Sequence, residues 1–133
     1  MRISRTVAYA IQAVLQLARD GGEMPVPCSR LAAEGKMPER FLLQILRTLV
    51  SHGILSSTRG VDGGYRLEMP VEEISLLQII EAIDGPLVSH APLGDGLYPE
   101  ARAKIESTLA TVTQTARREL DAVRMADLLP PRT

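Results

Sequence analysis

The residues of this chain best suited to chemistry are cations and amides that could meet a polyanion. Arginine pairs with guanine and glutamine with adenine on the major-groove edge of DNA, and arginine also suits narrow minor grooves. Arg40, Gln44 and Arg47 recur at helical spacing, and Arg59 follows them in a glycine-rich run, Arg59-Gly60-Val61-Asp62-Gly63-Gly64. The one thiol, Cys28, is a candidate redox group, and His52 and His90 are the two imidazoles. No Ser/His/Asp set, phosphate loop or metal motif occurs, and Gly63-Gly64 follows no strand-to-helix dinucleotide pattern. These groups point to binding and away from catalysis.

Periodicity shows which elements must hold them. Pro38 suits a first helical position, and Glu39 suits the positive helix start. Phe41, Leu42, Ile45, Leu46 and Leu49 then form one apolar stripe, which turns Glu39, Arg40, Leu43, Gln44 and Arg47 elsewhere. Gly53 ends this helix, residues 54–58 read as a strand, the glycine run turns, and residues 65–67 return as a second strand. Upstream, a helix over about 4–20 is capped by Ser4, has a face of Val7, Ile11, Val14, Leu15 and Ala18, and stops at Gly21-Gly22. Residues 24–27 make an extended connector. A shorter helix over about 29–34 turns Leu31 and Ala32 inward, and Glu34-Gly35-Lys36-Met37 matches the turn of a helix-turn-helix.

Beyond the hairpin, Ser75-Leu76-Leu77-Gln78 has the form of a capping box. Leu76, Ile79, Ile80 and Ile83 give that helix its apolar side, and Gly85-Pro86 terminates it. Pro99 opens a long helix continuing to about Ala126. Its apolar positions, Ile105, Leu109, Val112, Ala116, Leu120 and Val123, step by about four and three, which makes a coiled-coil-like seam. A helix of roughly 42 Å outruns a small core, so the seam is expected to pack on a second copy. The predicted fold class is mainly α with a small β-hairpin wing: a winged helix-turn-helix plus a long C-terminal dimerisation helix. Residues 1–86 form the DNA-binding domain, 87–98 a loop and 99–128 the dimerisation helix.

Composition agrees. Hydrophobic residues make up 45% and aromatics only 3%, so the core must be aliphatic, which favours packed helices. A single cysteine excludes an internal disulfide and fits a reducing compartment. Neither a signal-peptide pattern nor an apolar run of membrane-spanning length is seen, so a cytoplasmic location away from the membrane is expected. Net charge is −1, but residues 1–66 carry +4 and residues 67–133 carry −5. The basic half holds the proposed helix and wing, and dimerisation would double that charge on one face.

Arg59-Gly60-x-x-Gly63-Gly64-Tyr65-x-Leu67, preceded by Ser56-Ser57, closely resembles the wing signature of the IscR-like (Rrf-two) bacterial regulators. Ser4-Arg5-x-x-x-Tyr9-Ala10, Phe41-Leu42-x-Gln44-Ile45-Leu46, Ser75-Leu76 and Ile80-x-x-Ile83-Asp84-Gly85 extend the resemblance over most of the chain, weakly after Pro86. It implies a dimeric winged-helix DNA-binding protein whose long C-terminal helix crosses to its partner. By the same resemblance Arg59 enters the minor groove. Arg40, Gln44 and Arg47 lie on the outer face of the third helix, where they suit base edges, and Arg5, Ser56, Ser57 and Tyr65 are placed for phosphates. Two departures bear on the target site: Leu43 stands where many members carry glutamate and could meet a thymine methyl, and Asp62 puts a negative charge in the wing loop.

Sensing is a larger departure. The best-known members of the resembled family hold an iron–sulfur cluster with three cysteines in the loop before the long helix, whereas residues 87–98 contain none. His90 is the only candidate ligand there, Ala8 occupies a position where some members supply a carboxylate, and His52 is expected at a solvent-side helix end. The expectation is therefore a sequence-specific regulator, a repressor, with no metal or other cofactor, acting on double-stranded DNA as a homodimer. A protein or small-molecule effector would provide regulation, with the small molecule seated between the wing domain and the long helix. Cys28, just before the second helix, could have its thiol pKa lowered by the helix start and act as a redox switch, or it could be a small apolar filler. The alternative function is a protein-interaction module of the same fold that binds a partner enzyme, for which the acidic second half offers a surface.

Overall fold

Valine, leucine, isoleucine and alanine fill the interior, as the aliphatic composition requires. The computed structural model describes residues 1–19 and 23–131. Its elements are α1 (Arg5–Arg19), α2 (Cys28–Gly35), α3 (Glu39–Ser51), β1 (Leu55–Thr58), β2 (Gly64–Leu67), α4 (Leu76–Asp84) and α5 (Pro99–Ala122), then a 3₁₀ turn, Met125–Leu128.

α1 begins where expected. The Ser4 hydroxyl accepts the Val7 N–H at 3.1 Å and donates to the Asp84 carboxylate at 3.3 Å, which ties the start of α1 to the end of α4. Its buried face differs from the predicted stripe: Val7, Ala10, Ala13, Val14 and Leu17 point in, while Ile11, Leu15 and Ala18 are half-buried. Alanine at 10 and 13 lets neighbouring helices approach closely, so the helix turns its small residues to the core. Asp20 and the Gly21-Gly22 stop lie outside the described residues.

α2 starts one residue earlier than the sequence suggests, with Pro27 as its N-cap. Its turn into α3 relies on Lys36 in the left-handed conformation (φ 55°, ψ 48°). Two glutamines of α1 hold this turn, because Gln12 Nε2 donates to the Gly35 carbonyl at 2.8 Å and Gln16 Nε2 to that of Leu31 at 3.3 Å. In α3, Leu42, Ile45, Leu46 and Leu49 are buried, but Phe41 is 39% exposed. Phe41 sits at the margin of the stripe, where its ring meets the edge of Tyr9 at 5.9 Å and 78°.

The wing is a two-stranded antiparallel sheet with Leu55 opposite Leu67, Ser56 opposite Arg66, Ser57 opposite Tyr65 and Thr58 opposite Gly64. The connector before α2 joins it. Val26 and Tyr65 exchange backbone hydrogen bonds of 2.9 Å in each direction. Glycine is required at 64, where φ is +150° and a Cβ would lie 2.4 Å from the Val26 carbonyl.

The Ser75 capping box forms in full, with Gln78 N–H donating to Ser75 Oγ at 3.1 Å and Ser75 N–H to Gln78 Oε1 at 2.7 Å. In α4 Leu77, Ile79, Ile80 and Ala82 are buried, while Leu76 and Ile83 are only half-buried. α5 has 24 residues and a length of about 36 Å. It ends at Ala122, short of Ala126, because the following residues return to the start of α4. Leu76 N–H donates to the Val123 carbonyl and Met125 N–H to that of Ile74, both at 2.8 Å, and Met125 is fully buried.

Candidate DNA-contacting surface

The outer face of α3 carries Arg40, Gln44 and Arg47, all exposed, at positions one helical turn apart. None of the three side chains makes a hydrogen bond or ion pair among the described residues. Leu43, expected to point out with them, is half-buried beside the stripe. Arg5 is exposed in the first turn of α1, one turn before Tyr9. The contact between Tyr9 and Phe41 therefore brings the Arg5 end of α1 beside the start of α3.

β1 climbs out of the domain. Ile54 N–H donates to the Leu49 carbonyl and Glu68 N–H to the Ile54 carbonyl, both at 3.0 Å, which anchors the base of the hairpin on α3. Burial falls along the strand from Leu55 to half-buried Ser56 and then to exposed Ser57 and Thr58. Arg59 follows in solvent at the start of the tip, with no ion pair or side-chain hydrogen bond among the described residues. Two residues expected at phosphates, Ser56 and Tyr65, lie deeper than the tip. Ser56 Oγ is buried without a hydrogen-bond partner among the described residues, and Tyr65 is half-buried with its side chain packed on the core. Thr58, which the sequence reading passed over, is exposed beside Arg59; a hydroxyl next to the tip arginine was its available signal.

Cys28 is the first residue of α2, not the residue before it. Its thiol lies 3.7 Å from the Glu39 carbonyl. Burial, and then the nearby Glu39 carboxylate, push its pKa above the ordinary 9.0. Desolvation outweighs the helix start here, so the thiol is held neutral, opposite to the lowering expected of a redox switch.

Along α5 no residue is buried. Val112 is 60% and Ile105 36% exposed. Leu109, Ala116 and Leu120 are half-buried, and Val123 has left the helix to cap it. The segment after α4 lies along this helix: Ser89 donates to the Leu109 carbonyl at 2.8 Å, and Glu81 accepts both from Leu87 N–H at 2.7 Å and from Arg117. Between segment and helix is an open groove of about 760 Å³, lined by Val88, His90, Glu106, Ala110, Gln114 and Arg117 among others.

A helix-turn-helix whose second helix offers an arginine–glutamine face, followed by an arginine-tipped hairpin, defines a winged helix-turn-helix DNA-binding protein. The chain belongs to the Rrf2 family, described as iron-dependent transcriptional regulators, which it matches over residues 3–131. It is 34% identical over 130 residues to Rv1287 of Mycobacterium tuberculosis, covering 96% of this chain and 81% of that one. To the HTH-type transcriptional regulator CymR of Bacillus subtilis it is 29% identical over 128 residues, covering 96% and 89%. The solved structure of that CymR, the global cysteine regulator of B. subtilis, superposes with a TM-score of 0.78 at 27% identity over 96% of this chain and 95% of the other. IscR of T. potens gives 0.72 at 26% identity over 96% and 85%. The protein is thus a DNA-binding transcription regulator.

The family description raises iron, and the side chains present do not fit a thiolate-held cluster. His90 is exposed in a segment without cysteine, and the Ser89 hydroxyl there is engaged by α5. Cys28 lies in the helix-turn-helix with its thiol on the Glu39 carbonyl. Among the described residues no three His, Cys, Asp or Glu side chains converge to hold a metal, whereas a cluster takes several thiolate or imidazole ligands.

Proposed function

We propose that this chain acts as a homodimeric repressor that recognises a palindromic DNA site without an iron–sulfur cluster. The observation that carries the reading is the exposed face of Arg40, Gln44 and Arg47 on α3 followed by a hairpin whose exposed Arg59 has no ion pair among the described residues. α3 enters the major groove, with arginine directed to guanine and glutamine to adenine. The wing lays Arg59 in the adjacent minor groove, and Arg5 and Ser57 hold phosphates. The seam of Ile105, Leu109, Val112, Ala116 and Leu120 pairs with that of a second copy, so two recognition helices address two half-sites. A dimer seated over a promoter excludes polymerase with no further surface, which is why repression is the simplest action. Regulation falls to a protein or small-molecule effector in the cytoplasm. The absence of a fitting ligand set before α5 supports cluster independence.

Selection of sites from a random DNA pool with the metal-free protein tests this reading. A palindrome is expected, with Arg59→Ala weakening its binding by about tenfold or more. A folded protein that enriches no site contradicts it.

A further inference from the structure

The wing tip carries an anion as well as a cation. Gly63 N–H donates to the Gly60 carbonyl at 3.1 Å, closing a four-residue turn with Val61 and Asp62 at its centre. Val61 is fully exposed and Asp62 exposed, so the apex of the hairpin reaches solvent ahead of the rest of the wing. Asp62, like Arg59, makes no ion pair or side-chain hydrogen bond among the described residues. Its carboxylate is therefore not consumed in holding the turn. Whatever approaches the tip meets one positive and one negative group three residues apart.

Narrow A·T-rich minor grooves concentrate negative potential and draw in arginine. A carboxylate on the same turn, three residues from that arginine, is repelled by the same potential wherever it comes within the screening length of about 10 Å in 0.1 M salt. We infer that Asp62 is a specificity-determining residue: it offsets the pull of Arg59 toward narrow minor grooves, so the wing accepts the flanks of a site with little regard to groove width. The inference rests on the reading above, in which the wing lies on DNA. It assigns sequence choice to the α3 face and leaves the wing to supply position.

The test measures affinity of the full-length protein for the selected duplex in two forms, with A-tract or with G·C-rich flanks beneath the wing. The natural chain is expected to bind both within about twofold, and Asp62→Asn to prefer the A-tract form by roughly fivefold with a steeper salt dependence. Asn keeps the turn preference of Asp, and Asp62→Glu, which keeps the charge, should behave as the natural chain. Equal thermal midpoints for all variants remove folding as the cause. If Arg59→Ala weakens binding while Asp62→Asn leaves the flank preference unchanged, the Asp62 inference is overturned and the wing contact stands. If Arg59→Ala binds as the natural chain does, the wing contact falls and the inference falls with it.

Discussion

Cys28 shows how a single residue's neighbours decide its chemistry. A helix start favours a thiolate, yet burial and the Glu39 carboxylate both disfavour it, and the pKa rises above 9.0. The neutral thiol favours the fold at all pH values below 9.0, and that contribution is lost as pH rises through the folded-state value. Alkylation of the native protein at pH 7.5 should be about tenfold slower than that of the unfolded chain, climbing only above pH 9. Reaction at the unfolded rate would show an activated thiol instead. Cys28→Ser should leave DNA affinity within about twofold. Of the two readings the sequence allows for Cys28, the raised pKa favours the small buried filler over the redox switch; burial, and then Glu39 eleven residues away across the turn, are set by packing that no local pattern announces.

At the scale of elements, short-range signals were legible and backbone pairings were not. The Ser75 capping box, a turn after α2, the α3 stripe and the glycine-tipped hairpin follow from local chemistry, although the left-handed residue of that turn is Lys36 and Gly35 stays in the helix. The Val26–Tyr65 bridge and the return of residues 123–125 onto Ile74 and Leu76 join backbone groups far apart in the chain, which no side-chain pattern announces. The same blindness explains Ser56, whose type suits a phosphate contact but whose depth is set by the anchoring of β1 on α3. Gly64→Ala probes the bridge directly. Added to the unfavourable φ, a Cβ against the Val26 carbonyl should cost about 2 kcal/mol or more, measured by denaturant unfolding, with the wing amides losing hydrogen-exchange protection. A change below about 0.5 kcal/mol would mean the bridge does not constrain the wing.

For the whole molecule, the unburied seam of α5 is the feature a single chain leaves unexplained. Among its apolar positions Val112 is 60% exposed, so Val112→Glu should leave the chain folded while placing a charge where the proposed second copy packs. Sedimentation should then show a monomer of unchanged thermal midpoint that binds the selected palindrome at least about a hundredfold more weakly. A dimer that survives this substitution would move the interface elsewhere. Because Val123–Met125 is bonded to Ile74–Leu76, the end of α5 is fixed to the body that carries α3, so in the proposed dimer the pairing of α5 would set the separation of the two α3 helices.

The most direct single measurement is sedimentation of the chelator-treated protein with a labelled duplex carrying the selected palindrome. Two chains per duplex, with affinity unchanged when iron and sulfide are restored under anaerobic conditions, is the expected result. Binding that appears only after iron is restored, or one chain per duplex at saturation, would contradict a dimeric regulator that works without a cluster.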